Sequence, residues 1–277
     1  MGIDTAQTVQ VPAGSWTFDV SVGGPEHGVP VLLLHGFPQT EECFDQVRER
    51  LHEAGLRTIA PRQRGYSPGA RPVGVDQYTM KHLAEDAARI LDALEVPYAH
   101  VVGHGLGATV AWHFAAAYPL RAMSLTAVSF GHPSAFGEAM ASDQDQRQRS
   151  RYLELFLRSG EAEKALLAND ARTLLATAPG GGIEDLANEP ALTAALNWYR
   201  ANMVPGGEGL DCPVIEVPTT LVWGDRDAIA GAAQAKGTAH FLRADYRLSE
   251  VPDGDHWLPL RAPAALASEI ALRTLRN

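Results

Sequence analysis

Short apolar runs alternate with amphipathic segments along most of the chain. The run at residues 29–34 has the composition of a strand buried on both faces of a sheet, and five further segments give a strand signal: residues 56–60, 100–102, 123–128, 221–223 and 246–251. Residues 15–22 instead alternate apolar and polar positions, which predicts an edge strand. Residues 81–94, 108–118 and 263–275 carry apolar side chains at helical spacing. This order predicts an α/β fold, a mostly parallel sheet flanked by helices with right-handed crossovers.

The alternation stops between Gly131 and Val217. This stretch gives no strand signal, and its Ala, Leu, Arg and Glu residues recur at helical spacing. We expect a helical cap at residues 132–213, inserted into a core domain formed by residues 1–131 and 214–277.

Composition narrows the classes of partner. A chain of 277 residues, 45% of them hydrophobic, is long enough for a large core. Its net charge of -10 argues against nucleic acid or an anionic membrane as a partner and leaves a small-molecule substrate.

The first residues lack the basic and apolar parts of a signal peptide, so we expect a cytoplasmic protein. Cys43 and Cys212 have no Cys or His at zinc-ligand spacing, and we expect no metal or cofactor. The sequence does not indicate an oligomeric state.

Three glycines lie between a predicted strand and a predicted helix: Gly103, Gly105 and Gly107. Their spacing matches a nucleophile elbow, in which the outer glycines permit a tight turn and the central residue carries the nucleophile. Ser, Asp or Cys normally stands at the centre. Gly105 occupies that position here, and a glycine cannot attack a substrate.

A candidate acid and a candidate base follow in the chain order that this motif requires. Asp227 comes just after the strand predicted at residues 221–223, and His256 follows the last predicted strand. A loop Asp or His taken singly is most often structural or solvated. The elbow, Asp227 and His256 occur in the chain order that the motif requires. We therefore predict that His256 is a catalytic base, oriented by Asp227, and that it faces Gly105.

The segment His35-Gly36-Phe37-Pro38 directly follows the strand predicted at residues 29–34. Backbone N–H groups at this place can form an oxyanion hole, and we predict Phe37 and Leu106 as its donors. We expect His35 and Pro38 to contact substrate, although the His35 side chain is equally suited to a role in the turn. We interpret His104 as a packing residue.

From Val29 to Leu275 the chain resembles the α/β-hydrolase superfamily, and most of all its epoxide-hydrolase-like branch. HGFP is similar to the HGxP motif of epoxide hydrolases and dehalogenases, and the NWYR stretch resembles the family segment whose tyrosine polarises an epoxide oxygen. The resemblance implies that Tyr199 and Tyr152 are this branch's paired phenols. We also expect Trp198 and Trp257 to contact substrate.

The glycine leaves the reaction type open. An Asp at this position would form an alkyl ester with an epoxide or alkyl halide, whereas a Ser would cleave esters or lactones. The tyrosine pair favours Asp, although Leu106 replaces the Trp that often follows it in this branch. We expect Gly105 to be a substitution that inactivates a parent enzyme. The alternatives are a natural enzyme of lyase or decarboxylase type that works without a covalent step, and a pseudoenzyme that binds a small molecule. The presence of Asp227 and His256 argues against a protein that only binds a small molecule, because such a protein does not need an ordered acid and base.

Overall fold

A computed structural model describes residues 6–204 and 208–275 of the chain. The described strands form one sheet in the order β1-β2-β4-β3-β5-β6-β7-β8. They are β1 Gln7–Ala13, β2 Trp16–Gly23, β3 Val29–Leu34, β4 Leu56–Pro61, β5 Ala99–His104, β6 Ala122–Val128, β7 Thr219–Gly224 and β8 Tyr246–Val251. Strand β2 pairs antiparallel with β1 and β4, and the other neighbours pair in parallel.

Helices connect the strands. They are α1 Asp45–Glu53, α2 Met80–Ala93, α3 Leu106–Ala117, α4 Pro133–Ser142, α5 Gln144–Arg149, α6 Leu153–Phe156, α7 Glu161–Leu166, α8 Ala168–Leu175, α9 Glu189–Asn202, α10 Ala232–Gly237, α11 Leu258–Arg261 and α12 Pro263–Thr274. Short 3₁₀ segments lie at Glu41–Phe44, Pro68–Ala70, Val75–Tyr78, Ile183–Leu186, Glu208–Leu210 and Thr238–Phe241. A left-handed turn at residues 169–171 interrupts α8. Across the described ranges, no helix combines the length and apolarity needed to cross a membrane.

Strand β3 shows how the core is divided between the two faces of the sheet. Val31 and Leu33 belong to a buried cluster that includes side chains of α1 and α12. Leu32 and Leu34 belong to the opposite cluster, which includes side chains of α2 and α3. Because successive side chains of a strand point to opposite faces, a continuous apolar run is what a strand covered on both sides requires.

The predictions from apolar runs are confirmed at the level of elements. The strands at residues 29–34 and 246–251 have the predicted bounds, and the other predicted buried strands and helices differ from the observed bounds by at most two residues. The fold class is also confirmed, since the sheet is mostly parallel and flanked by helices.

Two features of the first half differ from the sequence prediction. The alternation at residues 15–22 predicts an edge strand, but β2 pairs with β1 on one side and β4 on the other. The edge is β1, whose own alternation of Val9, Val11 and Ala13 with polar residues carries the strand signal. Helix α1 is absent from the prediction, because its sequence is mostly charged and only Val47 and Leu51 mark its buried face.

The segment between β6 and β7 contains α4 to α9. Helix α9 begins where the Asn188 side chain accepts a hydrogen bond from the Ala191 N–H, at 3.1 Å. At its other end, Asn202 accepts from the Met80 N–H and donates to the Tyr78 carbonyl oxygen, both at 2.8 Å. These bonds fix α9 against the start of α2. The predicted cap boundaries at residues 132 and 213 stay a prediction.

Candidate active site

The turn between β5 and α3 depends on its two outer glycines. A Cβ atom at Gly103 would lie 2.4 Å from the Gly107 carbonyl oxygen. A Cβ atom at Gly107 would lie 2.3 Å from the carbonyl oxygens of Leu34 and His35. No side chain fits at such distances, so the close approach of strand, loop and helix requires glycine at both positions.

The central glycine of this elbow has a different environment. Gly105 has φ 55° and ψ -123°, a conformation that places its side-chain direction away from β5 and α3. A Cβ atom there would lie 3.2 Å from His256 Nε2 and 3.8 Å from His256 Cε1, and no other described atom outside the neighbouring residues lies within 4 Å. A side chain at position 105 would therefore point at the imidazole of His256.

Asp227 lies behind His256, on the loop that follows β7. The His256 Nδ1–H donates to the Asp227 carboxylate, with distances of 2.9 Å to Oδ2 and 3.1 Å to Oδ1. Asp227 Oδ1 also accepts from the backbone N–H groups of Ile229 at 2.7 Å and Ala230 at 2.8 Å. This arrangement leaves Nε2 of His256 without the proton and facing Gly105, which suits a general base.

Phe37 and Leu106, the two predicted oxyanion-hole donors, both line the cavity next to Gly105. A Cβ atom at Gly36 would lie 2.5 Å from the His104 carbonyl oxygen and 2.9 Å from the Leu106 nitrogen, so only glycine lets this loop approach the elbow. The Leu106 N–H belongs to the first turn of α3, where a helix leaves its N–H groups unpaired. The Phe37 N–H makes no hydrogen bond within the described ranges. The peptide bond between Phe37 and Pro38 is cis.

Gly105 and His256 line a cavity of about 250 Å³. Pro38 and Trp257, both expected to contact substrate, line it as well. Most of its wall is apolar or aromatic, including Phe37, Leu106, Phe130, Phe136, Phe156 and Met203. Such a wall favours an apolar ligand and leaves a few polar groups to orient it.

The two predicted phenols lie in the wall of this cavity. The ring centroids of Tyr152 and Tyr199 are 6.1 Å apart. Neither hydroxyl has a hydrogen bond to a described side chain or backbone group. Burial raises the pKa of both phenols, and for Tyr152 the nearby Asp227 charge adds to the effect. Both groups therefore stay protonated at neutral pH and can donate a hydrogen bond to a ligand oxygen.

Two residues predicted to contact substrate lie away from the cavity wall. His35 accepts from the Gln63 N–H at 3.2 Å, and burial lowers the pKa of its imidazole to about 3. The Trp198 indole N–H donates to the Arg64 carbonyl oxygen at 2.9 Å. Both side chains are buried and used in core hydrogen bonds, and neither lines the cavity, so their contact with substrate stays a prediction.

Sequence reasoning missed part of the site. His104 is buried, as expected of a packing residue, but its Nε2 also lies 2.9 Å from the His256 carbonyl oxygen and so holds the backbone of that residue. Phe130 and Ile229 line the cavity and were not predicted. Both follow parallel strands, β6 and β7, and the shared edge at which such strands end was a signal that could have found them.

Comparisons with known proteins agree with this geometry. Residues 29–263 match a family model described as the alpha/beta hydrolase fold. The chain is 31% identical to the AB hydrolase superfamily protein YfhM of Bacillus subtilis, over 94% of this chain and 95% of that protein. It is 31% identical to epoxide hydrolase 4 of Mus musculus, over 87% of this chain and 72% of that protein.

Solved structures agree on the fold. One from a study of novel epoxide hydrolases in metagenomes of hot environments superposes with a TM-score of 0.85 at 24% identity, over 100% of this chain and 99% of that one. An epoxide hydrolase of Bacillus megaterium in complex with an inhibitor gives a TM-score of 0.84 at 20% identity, over 97% and 100%. Together with the family match, these comparisons show that the chain belongs to the α/β-hydrolase family and has epoxide hydrolases among its relatives.

Proposed function

We propose that the cavity binds a small apolar epoxide, and that an active parent of this chain opens the epoxide through a covalent ester at position 105. One observation carries the proposal: two protonated, buried phenols, Tyr152 and Tyr199, share an apolar cavity with the hydrogen-bonded pair His256 and Asp227. Opening an epoxide creates an alkoxide, which needs a proton or a strong hydrogen bond. The epoxide hydrolases among the relatives support the same chemistry.

The parent reaction follows from the positions of these groups. A carboxylate oxygen at position 105 attacks an epoxide carbon, the ring C–O bond breaks, and its electron pair goes to the epoxide oxygen. That oxygen takes a proton from Tyr199 or Tyr152. His256 then removes a proton from water, which attacks the ester carbonyl while the N–H groups of Phe37 and Leu106 stabilise the oxyanion. The ester C–O bond then breaks, the leaving oxygen takes the proton from His256, and the diol departs. The acid proton released at position 105 returns to the phenolate, which restores the carboxylate and the tyrosine.

Gly105 removes the atom that forms the ester and leaves the rest of this machinery in place. We propose that it is an inactivating substitution and that the chain still binds the substrate. Loss of a nucleophile in a comparable hydrolytic site lowers kcat by about 10⁶-fold, because only binding, the oxyanion donors and direct base catalysis remain.

The test compares the chain with G105D and G105S on a small aryl epoxide such as styrene oxide and on phenyl acetate. G105D should open the epoxide, and mass spectrometry of quenched enzyme should detect an alkyl ester at residue 105. G105S should not open it. The unchanged chain should bind the epoxide with turnover lower by about 10⁴-fold or more than that of G105D.

Two outcomes would contradict the proposal in different ways. If G105S cleaves phenyl acetate with an acyl-enzyme burst while G105D leaves the epoxide intact, the parent enzyme is a serine esterase or lactonase. If the unchanged chain opens the epoxide at ordinary enzyme rates and H256A abolishes this, Gly105 belongs to a natural mechanism without a covalent intermediate.

A further inference from the structure

The elbow leaves a small space beside Gly105 that opens onto the cavity. Of the described atoms outside the adjoining residues, only Nε2 and Cε1 of His256 would come within 4 Å of a Cβ atom there. Gly105 itself lines the cavity, so this space is continuous with the place where we expect a substrate to bind. A molecule of a few heavy atoms can therefore take the position of a side chain.

Two separate segments that line the cavity carry unpaired backbone N–H groups. The Leu106 N–H begins α3, a helix of 12 residues, and the positive end of its dipole favours an anion. The Phe37 N–H comes from the loop after β3, which the contact between Gly36 and the elbow holds in place. Two donors from separate segments restrict the position of a bound anionic oxygen more than a helix N-terminus does alone.

A buried side chain aims into the same space from the opposite side. His256 is only 5% exposed, and its Nε2 makes no hydrogen bond with any described residue. Its Nδ1 is held by Asp227, so the imidazole cannot turn away without breaking that bond. A base at this place takes up a proton, and the Nε2–H of the resulting imidazolium can donate to an anion in the space.

We propose that the elbow binds a small carboxylate anion, of formate or acetate size, and that this anion acts as the nucleophile that the chain lacks. The inference rests on the proposed function, because it uses the same epoxide cavity and the same phenols. One carboxylate oxygen accepts hydrogen bonds from the N–H groups of Phe37 and Leu106. The other faces the cavity, in reach of an epoxide carbon.

The reaction balances without an oxidant or reductant. A bond forms between the carboxylate oxygen and an epoxide carbon, the ring C–O bond breaks, and its electron pair goes to the epoxide oxygen. Tyr199 or Tyr152 gives that oxygen a proton and regains one from water. The product is a hydroxyalkyl ester, which leaves the cavity because no covalent bond joins it to the chain.

The first experiment measures binding without any turnover. Carbon-13-labelled acetate is titrated into the full chain and followed by NMR line broadening, with G105A as the matched variant, since its methyl group fills the space. We expect saturable binding in the millimolar range for the chain and none for G105A. Acetamide has the same shape as acetate but no charge, and it serves as the ligand control on the unchanged chain. It should not bind.

The second experiment measures the reaction. Acetate should accelerate consumption of styrene oxide by the chain about tenfold or more, with saturation, and mass spectrometry should detect the hydroxyalkyl acetate. In G105D the side chain already supplies a carboxylate, so acetate should not accelerate the reaction. Acetamide should have no effect on either protein.

The outcomes separate this inference from the proposed function. If G105D opens the epoxide but acetate neither binds saturably to the chain nor yields the hydroxyalkyl acetate, the carboxylate site is wrong and the proposed function stands. Equal acceleration of the chain and of G105A would also overturn it, because the acetate would act elsewhere. An inactive G105D would contradict the proposed function, whatever acetate does.

Discussion

Tyr199 lines the cavity, and neighbouring aromatic rings fix its orientation. The ring packs edge-on against Phe37 and Phe156, with centroids 5.4 Å and 5.2 Å away. These contacts hold the phenol in one orientation, so its hydroxyl can donate to a ligand without first losing rotational freedom.

We predict that Tyr199→Phe, made in the G105D background, lowers the rate of ester formation about 10²-fold or more, because the developing alkoxide loses a proton donor. Hydrolysis of an ester already formed should be little affected, since that step uses His256. Stopped-flow kinetics separate the two rates. Tyr98→Phe is the control, because Tyr98 is 51% exposed and remote from the cavity wall. Equal losses in both steps would mean that the substitution has disturbed the cavity rather than removed a donor.

At the scale of elements, a buried ion pair joins α7 to α9. The Arg200 guanidinium donates to both carboxylate oxygens of Glu163, at 2.8 Å and 3.0 Å, and Thr193 donates to the same carboxylate. Burial by itself raises the pKa of Glu163. The hydrogen bonds from Arg200, the backbone and Thr193 outweigh it and lower that pKa from 4.5 to about 2.

The lowered pKa predicts how stability depends on pH. Glu163 contributes to the free energy of unfolding fully above about pH 4.5, its ordinary pKa, and this contribution is lost as pH falls towards about 2. Glu163→Gln should therefore destabilise by about 3–5 kcal/mol near neutral pH, because it leaves the Arg200 charge unpaired, and the difference from the unchanged chain should shrink in acid. Urea denaturation between pH 3 and 7 measures it.

A neighbouring exposed pair joins the first residue of α7 to the segment before it and supplies the control. Arg158 and Glu161 lie 3.3 Å apart with side chains 63% and 67% exposed. Glu161→Gln should change stability by less than about 1 kcal/mol, with little dependence on pH, because exposed ion pairs are screened by water. The same loss in both variants would show that burial of the Glu163 pair is not the source of its effect.

The elements that the sequence predicted best are those whose signal is local. The apolar run at residues 29–34 ends at a turn on each side, and β3 has those bounds. Helix α1 escaped prediction because most of its residues are charged, which leaves only Val47 and Leu51 as an apolar repeat. Chain order singled out Asp227 and His256, which the structure brings together. No local pattern could place Met203, at the end of α9, in the cavity wall, since that depends on how separate segments converge.

At the scale of the whole molecule, the segment between β6 and β7 is joined to the core by Asn202. Its amide pairs with the Met80 N–H and with the carbonyl oxygens of Tyr78 and Trp198. The Arg62 side chain adds an ion pair across the same boundary, to Asp185 at 2.5 Å. The segment that carries Tyr199 is thereby held against the start of α2 and the loop that follows β4.

We predict that Asn202→Ala lowers the free energy of unfolding by about 1–3 kcal/mol for each buried group that it leaves unpaired. It should also speed hydrogen exchange in α9 more than in β5, because the bonds lost are those between α9 and the core. Asn188→Ala is the matched control at the other end of α9, where the side chain caps the helix without touching the core. It should cost about 1 kcal/mol. Uniform exchange changes in both variants would contradict a specific anchor.

The three glycines of the elbow differ in which substitutions they can accept during evolution. In a library that varies each of them, positions 103 and 107 should return few folded variants besides glycine, because any side chain collides with backbone there. Position 105 should accept small residues, because one imidazole is the only near neighbour among the described atoms. The turn thus keeps its shape while the residue at position 105 changes, so nucleophiles of different chemistry can be exchanged there. A chain that has lost its nucleophile can gain a new one by a single substitution.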